Sequence, residues 1–316
     1  VGYCFLPARS NSRRSRTLSP TPKPYRPTLD NLRGILWMLG AVTALTLMFA
    51  IVKHMVQELP VFVVAIMRTA FALLLLVPWM IRVGPQGLAT KRVGGHITRA
   101  FFGVTSFVCV VYALTKLLLA DAMVLSFTTP LWSIVVSAII LGEIAGPRRI
   151  LVTLIGFAGV ILVVKPQSGI EPASLIALGS AVLTCFAMIT MKRLSTTEPP
   201  TRIVFYFFVF GTLMLLVPAI ATWQTPTPTQ FAWLFGAGVL GALGQDWLAR
   251  AYDAAEVTII APFDFMRLPV AAVLGFALFD ELPDRYSVLG MAVIVAASLY
   301  IARREAEPRK GLAPKP

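Results

Sequence analysis

Charged residues are scarce in this sequence, at 14% against 57% hydrophobic. A soluble domain carries about a quarter charged residues, so composition excludes an ordinary soluble fold. Histidine is rarer still. His54 and His96 lie far apart near the ends of apolar runs, and neither has a helically spaced ligand partner. Both read as interfacial residues. Cys4, Cys109 and Cys185 form no CxxC pair, which argues against a disulfide framework or a thiolate metal site. No Walker loop is present, so ATP-driven transport by this chain alone is not supported. The polar connections are too short to hold a soluble catalytic domain. An intramembrane enzyme would need a nucleophile with a base, or metal ligands, at depth, and no such cluster exists. The expectation is a protein that is not an enzyme and has no cofactor.

What is abundant is long apolar sequence. "ILWMLGAVTALTLMFAIV" (Ile35–Val52) and "AMVLSFTTPLWSIVVSAIIL" (Ala122–Leu141) contain no charge. Each is long enough to cross ~30 Å of hydrocarbon. Runs and turn signals predict an all-α membrane protein with ten transmembrane helices. They cover about Leu32–Met55, Val61–Val83, Ile97–Leu117, Ala120–Leu141, Ile150–Val164, Pro172–Met191, Ile203–Ala221, Phe231–Tyr252, Val257–Phe279 and Ser287–Ala302.

The net charge of +13 invites a nucleic-acid reading. Its distribution argues for a membrane instead. With the N-terminus cytoplasmic, only Lys53, Lys116, Lys165 and Arg285 fall outside, and Arg68 and Arg267 fall within spans. Every other Lys and Arg is cytoplasmic, which follows the positive-inside rule. Residues 1–31 are polar and rich in Ser, Pro and Arg. They lack the apolar core of a secretory signal, and their prolines oppose the amphipathic helix of a transit peptide. They read as a disordered basic tail facing anionic headgroups. Residues 304–316 form a second cytoplasmic tail. Expected partners are a small-molecule metabolite, the lipid bilayer and a coupling proton, without nucleic acid. The expected state is monomer or homodimer in the inner (cytoplasmic) membrane.

The chain also repeats itself. "ILGEIAGPRRILVTLIGFAGVILVV" (Ile140–Val164) resembles "LFDELPDRYSVLGMAVIVAASLYIA" (Leu278–Ala302), with Glu143 over Glu281 and Gly159 over Ala297. "AIVKHMVQELP" is echoed by "ITMKRLSTTEPP", with Lys53 over Lys192. The halves are residues 32–165 and 172–303. Five spans each means that the second copy enters from the opposite side. Such inverted repeats are used by many secondary transporters, with the substrate near the midplane between them.

Five plus five spans, "AIVKHM…ELP…IMRTAFALLLLVP" and "LGE" followed by "GFAGVILVV" resemble the EamA family of the drug/metabolite transporter superfamily. "AAEVTIIAPFDFMRLPVAAVLGFALFDELP" is similar to that family's ninth span. Val152 and Asp280 stand where the family often has Gly. The resemblance implies an inner-membrane carrier of small metabolites working by alternating access, closest in look to riboflavin or S-adenosylmethionine uptake members. An exporter of drugs or amino acids with the same fold is an alternative. A nontransporting sensor or assembly subunit is another, although no signalling domain is appended.

Charges inside spans are costly and tend to face a cavity or partner. Four stand out: Arg68, Asp246, Asp264 and Arg267. At ~1.5 Å rise per residue, Asp246 and Asp264 lie roughly 6–7 Å to the cytoplasmic side of the midplane. Arg267 lies within about 2 Å of it, and Arg68 about 5 Å to the outer side. Asp264 and Arg267 are i,i+3 and share a helix face. In one reading Arg267 grips a substrate anion while Asp264 or Asp246 balances it or carries a proton. In the other, the pair only pins the eighth and ninth spans together. Pro130, Pro262 and Pro269 are expected to break the fourth and ninth spans and act as hinges. Broken helices expose polar groups where they line a cavity, so Ser126, Thr128 and Thr129 are candidate contacts. Tyr112, Trp132, Trp247 and Phe263 are possible stacking surfaces, or core and lipid anchors. Arg68 matches an arginine that the family often carries in its second span, expected to be structural or to gate the outer side. Glu143 and Glu281, at span ends, read as fold residues. "GAGVLG" (Gly236–Gly241) fits a dinucleotide pattern, but it lies in an apolar helix, where small residues serve close packing.

Overall fold

The computed structural model describes residues 27–141, 147–164, 171–195, 197–254 and 263–306. All regular structure among them is helical: α1 (Pro27–Met55), α2 (Val61–Leu88), α3 (Val93–Leu114), α4 (Leu119–Ser126), α5 (Thr129–Leu141), α6 (Pro147–Val164), α7 (Pro172–Ser195), α8 (Pro200–Ala221), α9 (Pro228–Ala254), α10 (Arg267–Phe279) and α11 (Arg285–Ala306). Proline opens α1, α6, α7, α8 and α9. At the first helical position its missing N–H costs nothing. The second expected span, Val61–Val83, lies within α2, which runs on to Leu88. The chain kinks inside α2 at Gly84, which adopts φ 65.

Among the described residues, six segments are long and apolar enough to cross a membrane: Leu32–Met55, Val61–Gly84, Val93–Leu114, Leu119–Val136, Pro172–Met191 and Thr201–Ala221. That is fewer than the ten expected from the sequence. The difference has physical causes. A break before Arg267 leaves α10 short, and Ile150–Val164 and Arg285–Tyr300 are short apolar helices. The eighth expected span corresponds to α9, where Asp246 and Arg250 dilute the apolar run.

The packing repeats under exchange of halves. Let α1, α2, α3, α4–α5 and α6 correspond to α7, α8, α9, α10 and α11. Then α1 on α9 becomes α7 on α3, α2 on α9 becomes α8 on α3, and α1 on α10 becomes α7 on α5. All six packings are present. The α2–α8 and α6–α11 packings are present and map onto themselves. Small residues permit the close crossings. A Cβ on Gly244 would lie 2.6 Å from Leu45, and one on Gly290 would lie 2.6 Å from the Gly159 carbonyl oxygen. Within "GAGVLG", Gly238 and Gly241 pack against Phe71 and Arg68 of α2 and Met48 of α1. The motif is a packing surface.

Polar clasps repeat as well. Glu58, before α2, accepts a hydrogen bond from Gln230 Nε2 at 2.7 Å in the first turn of α9. Glu198, before α8, accepts one from Thr90 Oγ1 at 2.6 Å, just before α3. Each half thus reaches the head of the other half's third helix. Arg202 adds an ion pair to Glu198 at 2.6 Å and donates to the Gly87 carbonyl at 2.8 Å. Tyr206 donates to the Leu88 carbonyl at 2.7 Å.

Candidate functional site

Two helix breaks face each other. The first spans Phe127 and Thr128 between α4 and α5, and the second spans Phe265 and Met266 before α10. They occupy matching positions in the two halves, and α5 and α10 are both 13 residues long. The rings of Phe127 and Phe265 meet edge to face, with centroids 6.0 Å apart. Repeat mates therefore touch at the centre of the exchange.

Proline explains the first break. Pro130 has no N–H to donate to the Ser126 carbonyl, as a continuous helix requires. The Thr129 hydroxyl donates to that oxygen instead at 3.0 Å, and approaches the Ala181 carbonyl at 3.4 Å. Thr128 donates to the Leu125 carbonyl at 2.6 Å. Both hydroxyls, candidate contacts from the sequence, are thus committed to mending the break. At the second break, Leu268 N–H donates to the Phe265 carbonyl at 3.1 Å, in place of the donor that Pro269 lacks. Pro262 lies outside the described residues, as does Glu143.

The second break carries the charge. Arg267 Nη2 and Asp264 Oδ1 form an ion pair at 2.7 Å, with side chains 12% and 26% exposed. The Arg267 guanidinium lies over the Phe127 ring, 5.3 Å from its centroid. The charged half of the second break thus touches the first break. The mates of Asp264 and Arg267 are Ser126 and Thr129, so one side of the junction is ionic and the other hydroxylic.

Other candidates are dispersed. Asp246 pairs with Arg250 at 2.6 Å on a half-exposed face of α9. It does not join Asp264. Trp247 packs on Trp37, centroids 6.2 Å apart. Trp132 packs edge to face on Phe157 of α6 at 5.0 Å. Tyr112 is 39% exposed, and among the described residues no ring contact or side-chain hydrogen bond ties it to the breaks. Phe263 packs against Met38, Val42 and Ala251. Arg68 is buried over the Phe107 ring at 4.1 Å.

Two features escaped sequence reasoning. A hydroxyl seam joins the first break to α3 and α7. Ser106 Oγ bonds the Ser180 carbonyl at 2.8 Å and Thr184 Oγ1 at 2.7 Å. Ser180 Oγ approaches Ser126 Oγ at 3.4 Å, and Cys185 Sγ donates to the Thr129 carbonyl at 3.3 Å. The i,i+4 spacing of Ser180 and Thr184 was the available signal. The second feature is an ion pair between Lys53 and Glu281, which closes one end of the bundle. Lys53 Nζ also donates to the Leu117 carbonyl at 2.7 Å, while Glu281 Oε2 accepts from Leu119 N–H at 2.9 Å. Their residue types were visible in the repeat, but not their meeting.

Matched halves with facing broken helices define a membrane carrier for small molecules. Residues 32–165 and 172–303 match the EamA-like transporter family, and the chain belongs to it. It is a multi-pass membrane protein and a small-molecule transporter. Over 284 residues it is 32% identical to the riboflavin transporter of Vibrio cholerae, covering 87% of this chain and 94% of that one. Over 278 residues it is 29% identical to the S-adenosylmethionine uptake transporter of Rickettsia prowazekii, covering 87% and 94%. The pseudopaline exporter CntI of Pseudomonas aeruginosa is 30% identical over 280 residues, covering 87% and 98%. A protein of known crystal structure shares the fold, with TM-score 0.60 and 18% identity over 86% of this chain and 98% of that one.

Proposed function

We propose that this protein carries a small organic metabolite across the inner membrane by alternating access of its halves, residues 32–165 and 172–303. The observation that carries the reading is the contact between matching breaks, with Arg267 and Asp264 against Phe127. Broken helices at the centre of a repeat pair are where transporters of this kind hold substrate. The second half is inverted, with both termini and the basic tails cytoplasmic. In that orientation the Lys53–Glu281 pair closes the outer end, and the Glu198 clasp lies at the inner end. Binding would open the Asp264–Arg267 pair and give each partner to the substrate. Asp264 is the acid through which proton coupling would act.

S-adenosylmethionine and riboflavin are the first substrates to test, because relatives are named for them. The experiment is counterflow of each labelled compound in proteoliposomes of purified protein. Accumulation that depends on unlabelled compound inside supports the reading. No flux of any compound from a metabolite panel overturns it.

A further inference from the structure

Arg68 is the buried charge of the second span, 4% exposed. Three neighbouring helices accommodate it. Its guanidinium lies flat on Phe107 of α3, 4.1 Å from the ring centroid. Gly241 of α9 leaves room for it, since a Cβ there would lie 3.2 Å from both Nε and Nη2. Met48 of α1 borders the same space, 3.1 Å from that Cβ position. Met48 is five residues before Lys53 on α1, or roughly 7 Å further in at 1.5 Å per residue. Arg68 therefore lies beneath the Lys53–Glu281 closure.

Among the described residues no counter-ion accompanies it. Ion pairs join Lys53 to Glu281, Arg202 to Glu198, Arg250 to Asp246 and Arg267 to Asp264. Arg68 takes part in none of them, and its buried Nε has no hydrogen-bond partner among the described residues. An arginine does not shed its proton to escape burial, and an uncompensated buried charge is strongly destabilising. The Phe107 ring offsets a small part of that through its π face. The edge of the guanidinium is a planar fork matched to a carboxylate or phosphate.

We propose that Arg68 is the anion anchor for the transported molecule, and that the substrate bears an oxyanion, carboxylate or phosphate, which completes the pair. The proposal rests on the carrier function described above. It differs from the Asp264–Arg267 junction, where the positive charge already has a partner.

The test measures ligand-induced stabilisation of the purified full-length protein in nanodiscs. Matched probes differ in one acidic group: S-adenosylmethionine against its decarboxylated form, riboflavin 5′-phosphate against riboflavin, and methionine against methioninamide. The member that carries the acidic group should bind at least tenfold more tightly than the member that lacks it, and which pair responds separates carboxylate from phosphate. Arg68→Gln should abolish that preference, with equal or higher stability when no ligand is present. Arg68→Lys should keep a weakened preference. Arg99→Gln serves as the control, because Arg99 is a second arginine stacked on a ring, Phe207 at 4.7 Å; it should leave the preference intact. Equal binding of both members, or an undiminished preference in Arg68→Gln or Arg68→Lys, overturns the anchor. Should Arg68→Gln fail to fold, Arg68→Lys and the wild-type pairs still decide. Transport of riboflavin without acid preference would sink the anchor and leave the carrier function standing. Absence of transport for every probe and every panel metabolite would remove both.

Discussion

Lys53 and Glu281 form an ion pair that joins the last turn of α1 to the turn after α10. The two residues come from different halves of the chain. Both are well buried, with side chains 6% and 16% exposed, and each makes a second bond, Lys53 to Leu117 in the α3–α4 connection and Glu281 to Leu119 at the start of α4. Asp121 adds a further favourable charge interaction with Lys53. Leaving one member unpaired removes about 3 kcal/mol or more. Lys53→Gln and Glu281→Gln should each lower the melting temperature clearly in detergent. The exchange variant Lys53→Glu with Glu281→Lys should recover part of the loss. A double-mutant cycle measures the coupling. Additive losses would show that the pair is not a closure.

The Asp264–Arg267 pair separates a structural from a transporting role. Asp264→Asn and Arg267→Gln remove one charge each and keep similar shape. If the pair meets substrate, flux should fall at least tenfold in both variants, while the amount of folded protein stays within about a factor of two. Asp246→Asn is the contrast. Its carboxylate is 51% exposed and bound to Arg250 on the same helix. Flux should stay within about twofold of wild type. Equal loss in all three variants would argue against a special place for the junction.

The Glu198 clasp should make stability acid-sensitive. Burial acts to raise the Glu198 carboxyl, but the bond from Thr90 and the ion pair with Arg202 outweigh it, helped by nearby His96. The net effect holds the carboxyl below its ordinary value of 4.5. A carboxyl depressed in the folded state binds its proton more readily when unfolded. Its contribution is therefore complete above pH 4.5 and lost as pH falls through the lower folded value. Melting temperature measured from pH 7 to 3 should fall less steeply for Glu198→Gln than for wild type. Parallel curves would show that the clasp contributes nothing.

Much of the helical order was legible because apolar runs are long and prolines mark the starts of α6, α7, α8 and α9. Legibility stopped where a residue's partner lies far along the chain. Pro130 announced a break, yet it did not show that Phe127 would meet Phe265 or that Thr129 would spend its hydroxyl on Ser126. Depth along a helix placed Asp246 and Asp264 at one level, but rotation about the axis turns Asp246 to Arg250. Periodicity gives level and face within one helix. Only packing decides which faces meet, and the Lys53–Glu281 pair depends on that decision.

Asp280 is the last residue to test, because it holds a backbone conformation that glycine favours. It caps α10 at φ 54, and among the described residues it is the only non-glycine with positive φ. Its N–H donates to the Phe276 carbonyl at 3.0 Å, and the N–H of Glu281 reaches back to the Gly275 carbonyl at 3.0 Å. These bonds close the helix end in the manner of a Schellman motif, whose left-handed position is usually Gly. The turn also aims Glu281 at Lys53. Aspartate tolerates the left-handed region better than most residues but retains the crowding of its Cβ. Asp280→Gly should stabilise the folded state by about 1 kcal/mol, with the Lys53–Glu281 pair intact. Asp280→Val should destabilise it, because a β-branched side chain is an outlier at positive φ. Paired melting curves decide: a Gly variant no more stable than wild type, beside a neutral Val variant, would show that the turn does not control this end of the helix.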